Sequence, residues 1–88
     1  MEITDVNIYL VNGDKLKAYA TVIFDDAFVV RDMKIIHGNN GLFVAMPNKK
    51  TKDGTFRDVA HPLNKEMRKL IEESVLDYYK SQTDVQEM

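Results

Sequence analysis

The chain has 88 residues with 14 acidic and 12 basic side chains, a formal charge of −2, and neither cysteine nor tryptophan. That length suits one small domain and leaves no room for a second. Missing cysteine excludes disulfides, thiolate nucleophiles, iron–sulfur clusters and cysteine-ligated zinc, and the acidic balance excludes a domain that is basic all over.

Met1 leads at once into alternating polar and apolar residues, and no apolar run approaches the ~20 residues that cross a bilayer. The expectation is a cytoplasmic protein with no membrane partner. Residues 3–11 alternate, with Val6, Ile8 and Leu10 on one face and Ile3, Asp5, Asn7, Tyr9 and Val11 on the other, the period of a strand. Asn12-Gly13 supplies a turn, and Leu16 to Phe24 alternates again, so a β-hairpin is the first element. Asp25-Asp26 marks the next turn. Phe28 to His37 follows, too apolar on both faces for a strand with one side in water, and reads as a central strand. Gly38-Asn39-Asn40-Gly41 then turns the chain into a short strand, Leu42 to Met46, which Pro47 stops.

From Pro47 to Arg57 the composition shifts to Lys49, Lys50, Lys52 and Arg57 against Asp53 alone, a net of +3. Asp53-Gly54 gives this stretch a tight turn, and Thr55 to Ala60 is expected to return as a strand opposite 42–46, leaving an exposed hairpin arm. His61-Pro62 opens the last element. Leu63, Met67, Leu70, Ile71, Ser74, Val75 and Tyr78 recur at spacings of three and four, which predicts an amphipathic helix over roughly 63–80 with Pro62 in its first turn. Residues 81–88 lack apolar periodicity and are expected to fray.

This order predicts an α+β domain over residues 1–80: an antiparallel sheet of four to five strands, then a C-terminal helix packed on one face. One helix cannot cover both faces. Tyr9, Tyr19, Ile23 and part of the third strand are left for the second face, so a second copy is expected to complete or cover the sheet as a homodimer.

Catalysis finds no constellation here. His37 ends a strand and His61 precedes a proline, neither beside a nucleophile at a recognised spacing, so no enzyme, metal or cofactor is expected. His61 is expected to hydrogen-bond nearby backbone. Tyr78 and Tyr79, at the helix end, are expected to serve packing. The cations carry more information. Lys65, Arg68 and Lys69 share one helix face in the first two turns, where the macrodipole prefers anions. A phosphate docking there would turn that cost into a gain. Together with the arm they make seven cations that a polyanion backbone could follow, while Asn64, Lys65, Met67 and Arg68 are candidates to read bases.

The segment NNGLFVAMPNKKTKDGTFRDVAHPLN, with the opening MEITDV and the FVVRD before it, resembles the bacterial stage V sporulation protein G family, SpoVG, over about residues 1–80. The resemblance implies a small dimeric cytoplasmic regulator that binds DNA with site preference, with RNA binding also described. Members act in sporulation and septation, and on virulence and envelope genes. Carried over by position, the family's basic segment falls on Lys49, Lys50 and Lys52, with Arg57 following. Its nucleic-acid-reading helix falls on Asn64 to Lys69. A protein-interaction adaptor without direct nucleic-acid contact is the rival expectation, and salt dependence separates the two.

Overall fold

A computed structural model describes residues 1–87, with side chains through Thr83. Its elements run β1 (Ile3–Leu10), β2 (Leu16–Phe24), β3 (Phe28–Gly38), β4 (Gly41–Ala45), β5 (Asn48–Lys50), β6 (Phe56–Asp58) and α1 (Lys65–Glu87). The first four form an antiparallel sheet in the order β1-β2-β3-β4, and β5 and β6 form a separate two-stranded ribbon.

Each hairpin rests on a residue that tolerates the left-handed region. Asn12 (φ 61°) turns β1 into β2, and Asp25 and Asp26 (φ 53° and 50°) turn β2 into β3. Both Asp and Asn adopt that region by bonding locally. Asp25 Oδ1 accepts the Glu2 N–H at 2.8 Å, and Thr4 Oγ1 accepts the Asp26 N–H at 2.9 Å, which staples this turn to the start of β1. A register shift between Ile3 and Asp5 moves Ile3 onto the core face beside Val6, against the strict alternation expected of β1.

The core is the inner face of the sheet under the helix. Ala18, Ala20, Val22 and Phe24 of β2, Met33 and Ile35 of β3 and Val44 of β4 meet Ile71, Val75 and Tyr79, which recur every four residues on α1. The helix touches both outer strands, β1 and β4. Alanines on the inner strand β2 leave room for the helix to seat against the sheet.

Three boundaries differ from the sequence reading, each for a local reason. The 56–58 segment pairs with 48–50 (Asn48↔Asp58, Lys49↔Arg57, Lys50↔Phe56) and not with 42–46. Pro47, lacking an N–H, ends β4's ladder, and Val59 N–H then closes the arm's base on Pro47 O at 2.8 Å. The helix begins after Asn64, whose Oδ1 accepts the Met67 N–H at 2.8 Å as an N-cap. Pro62 therefore stands before the first turn, and Leu63, expected on the apolar stripe, is 92% exposed. Downstream, α1 runs to Glu87. The tail expected to fray, 81–88, lies on this stretch up to Glu87, with Met88 outside the described residues.

β3 is an inner strand, as its apolar sequence predicts, but only over half its length. β4 pairs with Lys34 to Gly38 and stops, so 28–33 have β2 on one side and no strand on the other. There Phe28 and Val29 are exposed. A bulge at Asp32 (φ 65°), where Ala20↔Met33 gives way to Val22↔Val30, bends β3 at the start of this free edge.

Candidate nucleic-acid interface

Two groups of cations sit at either end of a short connection. The arm supplies Lys49 and Lys50 from β5, Lys52 from the tip and Arg57 from β6, and the start of α1 supplies Lys65, Arg68 and Lys69. Only residues 59–64 separate them, so arm base and helix start lie within ~25 Å.

Cross-strand pairing sorts the arm's charges. Lys49 and Arg57 are direct partners and share one face of the ribbon, while Lys50 shares the other with Phe56. All four cations line one open groove of about 560 Å³ with Thr51, Asp58 and Val59. Among the described residues none of the four enters an ion pair, since the salt bridges join Arg68 to Glu72 and Lys69 to Glu73. Phe56, 70% exposed beside Lys50, adds a flat apolar ring that the sequence reading passed over. A lone aromatic between the Asp53-Gly54 turn and Arg57, in an otherwise polar stretch, was the available signal.

The tip is held from within. Asp53 accepts hydrogen bonds from the Thr51 and Thr55 hydroxyls and from the Thr55 N–H at 3.2 Å. Thr51 N–H meets Thr55 O at 2.7 Å, and Gly54, at φ 90°, closes the turn. These donors, the Thr51 hydroxyl foremost, hold the Asp53 carboxyl down at about 2, so it stays ionised through the neutral range. A lysine-rich loop that would otherwise sample many conformations is thereby pre-shaped.

The helix start is built differently. Arg68 Nη1 lies 3.8 Å from Glu72 Oε1 and Lys69 Nζ 3.9 Å from Glu73 Oε1, each one turn on and all substantially exposed. Such pairs are loose and solvent-screened. Lys65, the first helical residue, has no such partner among the described residues. Of the four base-reading candidates, Asn64 spends its acceptor on the cap, and Met67 turns inward to line an apolar cavity. Lys65 and Arg68 remain available. His61 borders the same cavity, of about 120 Å³, with Met33 and Met46, and its Nδ1 lies 3.0 Å from Pro62 O. His37 pairs with Leu42 at the far end of β3. His61 lines that cavity and His37 does not.

The chain is thus a small α+β domain that raises a cationic ribbon, without an ion pair among the described residues, next to a cation-bearing helix start. The SpoVG family model matches residues 1–81. Relatives named "Putative septation protein SpoVG" include one from Anaeromyxobacter sp. (strain Fw109-5), 61% identical over 90% of this chain and 81% of its own length. Those from Bdellovibrio bacteriovorus and Phytoplasma australiense are each 54% identical, over 93% and 90% of this chain and 76% and 83% of their own lengths. The chain belongs to the SpoVG family.

Proposed function

We propose that this chain is a homodimeric regulator that binds DNA with site preference, and RNA as a second polymer, in the cytoplasm, and acts in the septation process for which its relatives are named. It works by binding, without cofactor or catalysis. The carrying observation is the arm: a net +3 over residues 47–57 in a chain of −2, on a pre-shaped ribbon where no carboxylate among the described residues pairs with its cations. Counterions released from phosphates on docking would supply affinity that falls steeply with salt. Lys65 and Arg68 at the helix start supply sequence preference, as bidentate or single contacts to base edges.

The free edge of β3 supports dimerisation through the sheet. Strand residues 28–33, paired with β2 alone, stand beside a groove of about 340 Å³ that Phe28, Val29, Pro47 and Val59 line. An exposed edge flanked by apolar side chains favours pairing with another strand. No helix in the described residues is long and apolar enough to cross a membrane.

The test is a selection from random DNA and RNA pools followed by salt titrations of the best ligands. Lys50→Ala should weaken all sequences alike and lower the salt slope by about 1, while Arg68→Ala should reorder the preferred sequences. Identical isotherms for both variants and the unaltered chain would reject the reading. Weak salt dependence would favour the adaptor instead. Sedimentation as a monomer at micromolar concentration would remove the dimer.

A further inference from the structure

The sheet has a second face, which α1 does not touch. Two cross-strand rows run over one half of it. The first is Tyr9↔Tyr19↔Lys34↔Ala45, direct partners on β1, β2, β3 and β4. The second is Leu16↔Ile36↔Phe43, with Lys17 the extra residue of the register shift between Leu16 and Ala18 and next to Tyr19 along β2's alternation, its Nζ donating to Gly13 O at 2.8 Å. Partners across a ladder point to one side, so these rings and ammonium groups share a surface. Tyr9 is 74% exposed, Phe43 44% and Tyr19 38%. A Cβ at Gly38 would stand 3.0 Å from Phe43 Cε1, so the Phe43 ring lies against bare backbone there.

We propose that this half of the open face is a second binding site, for single-stranded nucleic acid, with Tyr9, Tyr19 and Phe43 stacking bases and Lys17 and Lys34 meeting phosphates. The site is separate from the arm and goes beyond the reading above. Charge favours this occupant. Neither row contains a carboxylate, and the adjoining turn adds Asp14 and Lys15, which cancel. Of the strand acids of this face, Asp5 lies toward the opposite end, while Asp32, two residues before Lys34 on β3, adjoins the first row with Arg31 beside it. A second copy suits the surface poorly: a symmetric dimer built on these rows would bury four lysines together with no acid from either row among them. Spacing favours it too. Tyr9 on β1 and Phe43 on β4 are three strands apart, about 14 Å, enough for two or three splayed bases. Duplex DNA keeps its bases stacked on each other and offers these rings nothing to stack on, which restricts the site to single strands.

The experiment uses the full chain with short oligo(dT) and oligo(U) as probes. Two of the chain's four tyrosines lie in these rows and there is no tryptophan, so tyrosine emission reports ring stacking above a background from Tyr78 and Tyr79 on α1. Both probes should quench it, and Tyr9→Ala and Phe43→Ala should each weaken single-strand binding by between about 5- and 100-fold. Tyr9→Phe keeps a stacking ring and should retain affinity. Duplex binding should be unchanged in all three and should fall in Lys50→Ala, so the two sites fail separately. Full single-strand affinity in the Tyr9→Ala/Phe43→Ala double variant, with an unchanged circular-dichroism spectrum, overturns the proposal. So does a drop in sedimentation coefficient for that variant, which would assign the face to self-association.

Discussion

The arm and the helix start carry similar numbers of cations but hold them in opposite ways. On the arm Lys49, Lys50, Lys52 and Arg57 have no ion-pair partner among the described residues, and the backbone beneath them is locked by Asp53, Thr51 and Thr55. On α1, Arg68 and Lys69 each face a glutamate one turn away, on a helix whose first turn depends on Asn64. A pre-shaped, uncompensated cluster suits contact with any phosphate chain. A compensated one binds only where the ligand offers more than the glutamate does, which is how a surface acquires preference. On the function proposed above, generic affinity and discrimination would reside in different elements of one small domain.

The largest expected effect comes from removing what both regions stand on. Ile35 is fully buried under the helix, so Ile35→Ala should cost about 2–5 kcal/mol in urea unfolding and disable arm and helix together. Loss of only one function with normal stability would show that the sheet does not couple them. Next, replacing Lys49 and Arg57 with alanine removes the cross-strand pair. The slope of log affinity against log salt should fall by about 2 for every sequence. A selective effect on some sequences would move discrimination onto the arm. Third, Asn64→Ala deletes the cap and should destabilise by about 1 kcal/mol. It should blur sequence preference while leaving the salt slope intact, as a comparison of preferred and random sequences would measure.

The smallest effect sharpens the arm's side. Asp53 has its carboxyl held at about 2, against an ordinary 3.8. A group depressed on folding adds stability that is present above its unfolded value and lost as pH falls through the folded one. The tip should therefore stay ordered at pH 5 and loosen between about 4 and 2. Thr55 N–H hydrogen exchange, followed by NMR, should show it, and Asp53→Asn should exchange fast throughout.

Where the signal is local, the sequence was legible. Leu16 to Phe24 alternates without interruption and matches β2 at both ends. Asn12, Asp25 and Asp26 turn where expected because their side chains favour the left-handed region whatever surrounds them. The arm was visible as a charge excess with an Asp53-Gly54 turn. Its pairing was not, because the polar pattern of 55–60 suits either partner and only Pro47's break in the ladder decides between them. Helix onset was misplaced for a related reason: Pro62 and Asn64 are both acceptable starts, and the bond from Met67 N–H selected Asn64. Phe28 and Val29 read as buried because hydrophobicity does not reveal that β4 ends opposite Lys34.

By itself, then, the sequence determined an α+β chain of antiparallel hairpins and a terminal helix, a cationic arm in an otherwise acidic protein, and a family. Periodicity, turn chemistry and charge are properties of neighbours in the chain. The tertiary structure alone decided that the arm is a separate ribbon, that half of β3 is a free edge, that Met67 faces inward, and that Tyr9, Tyr19, Lys34 and Phe43 gather on one uncovered face. Each of these depends on register between distant strands. A bulge or a stopped ladder shifts which side chains meet, and no local pattern records that shift.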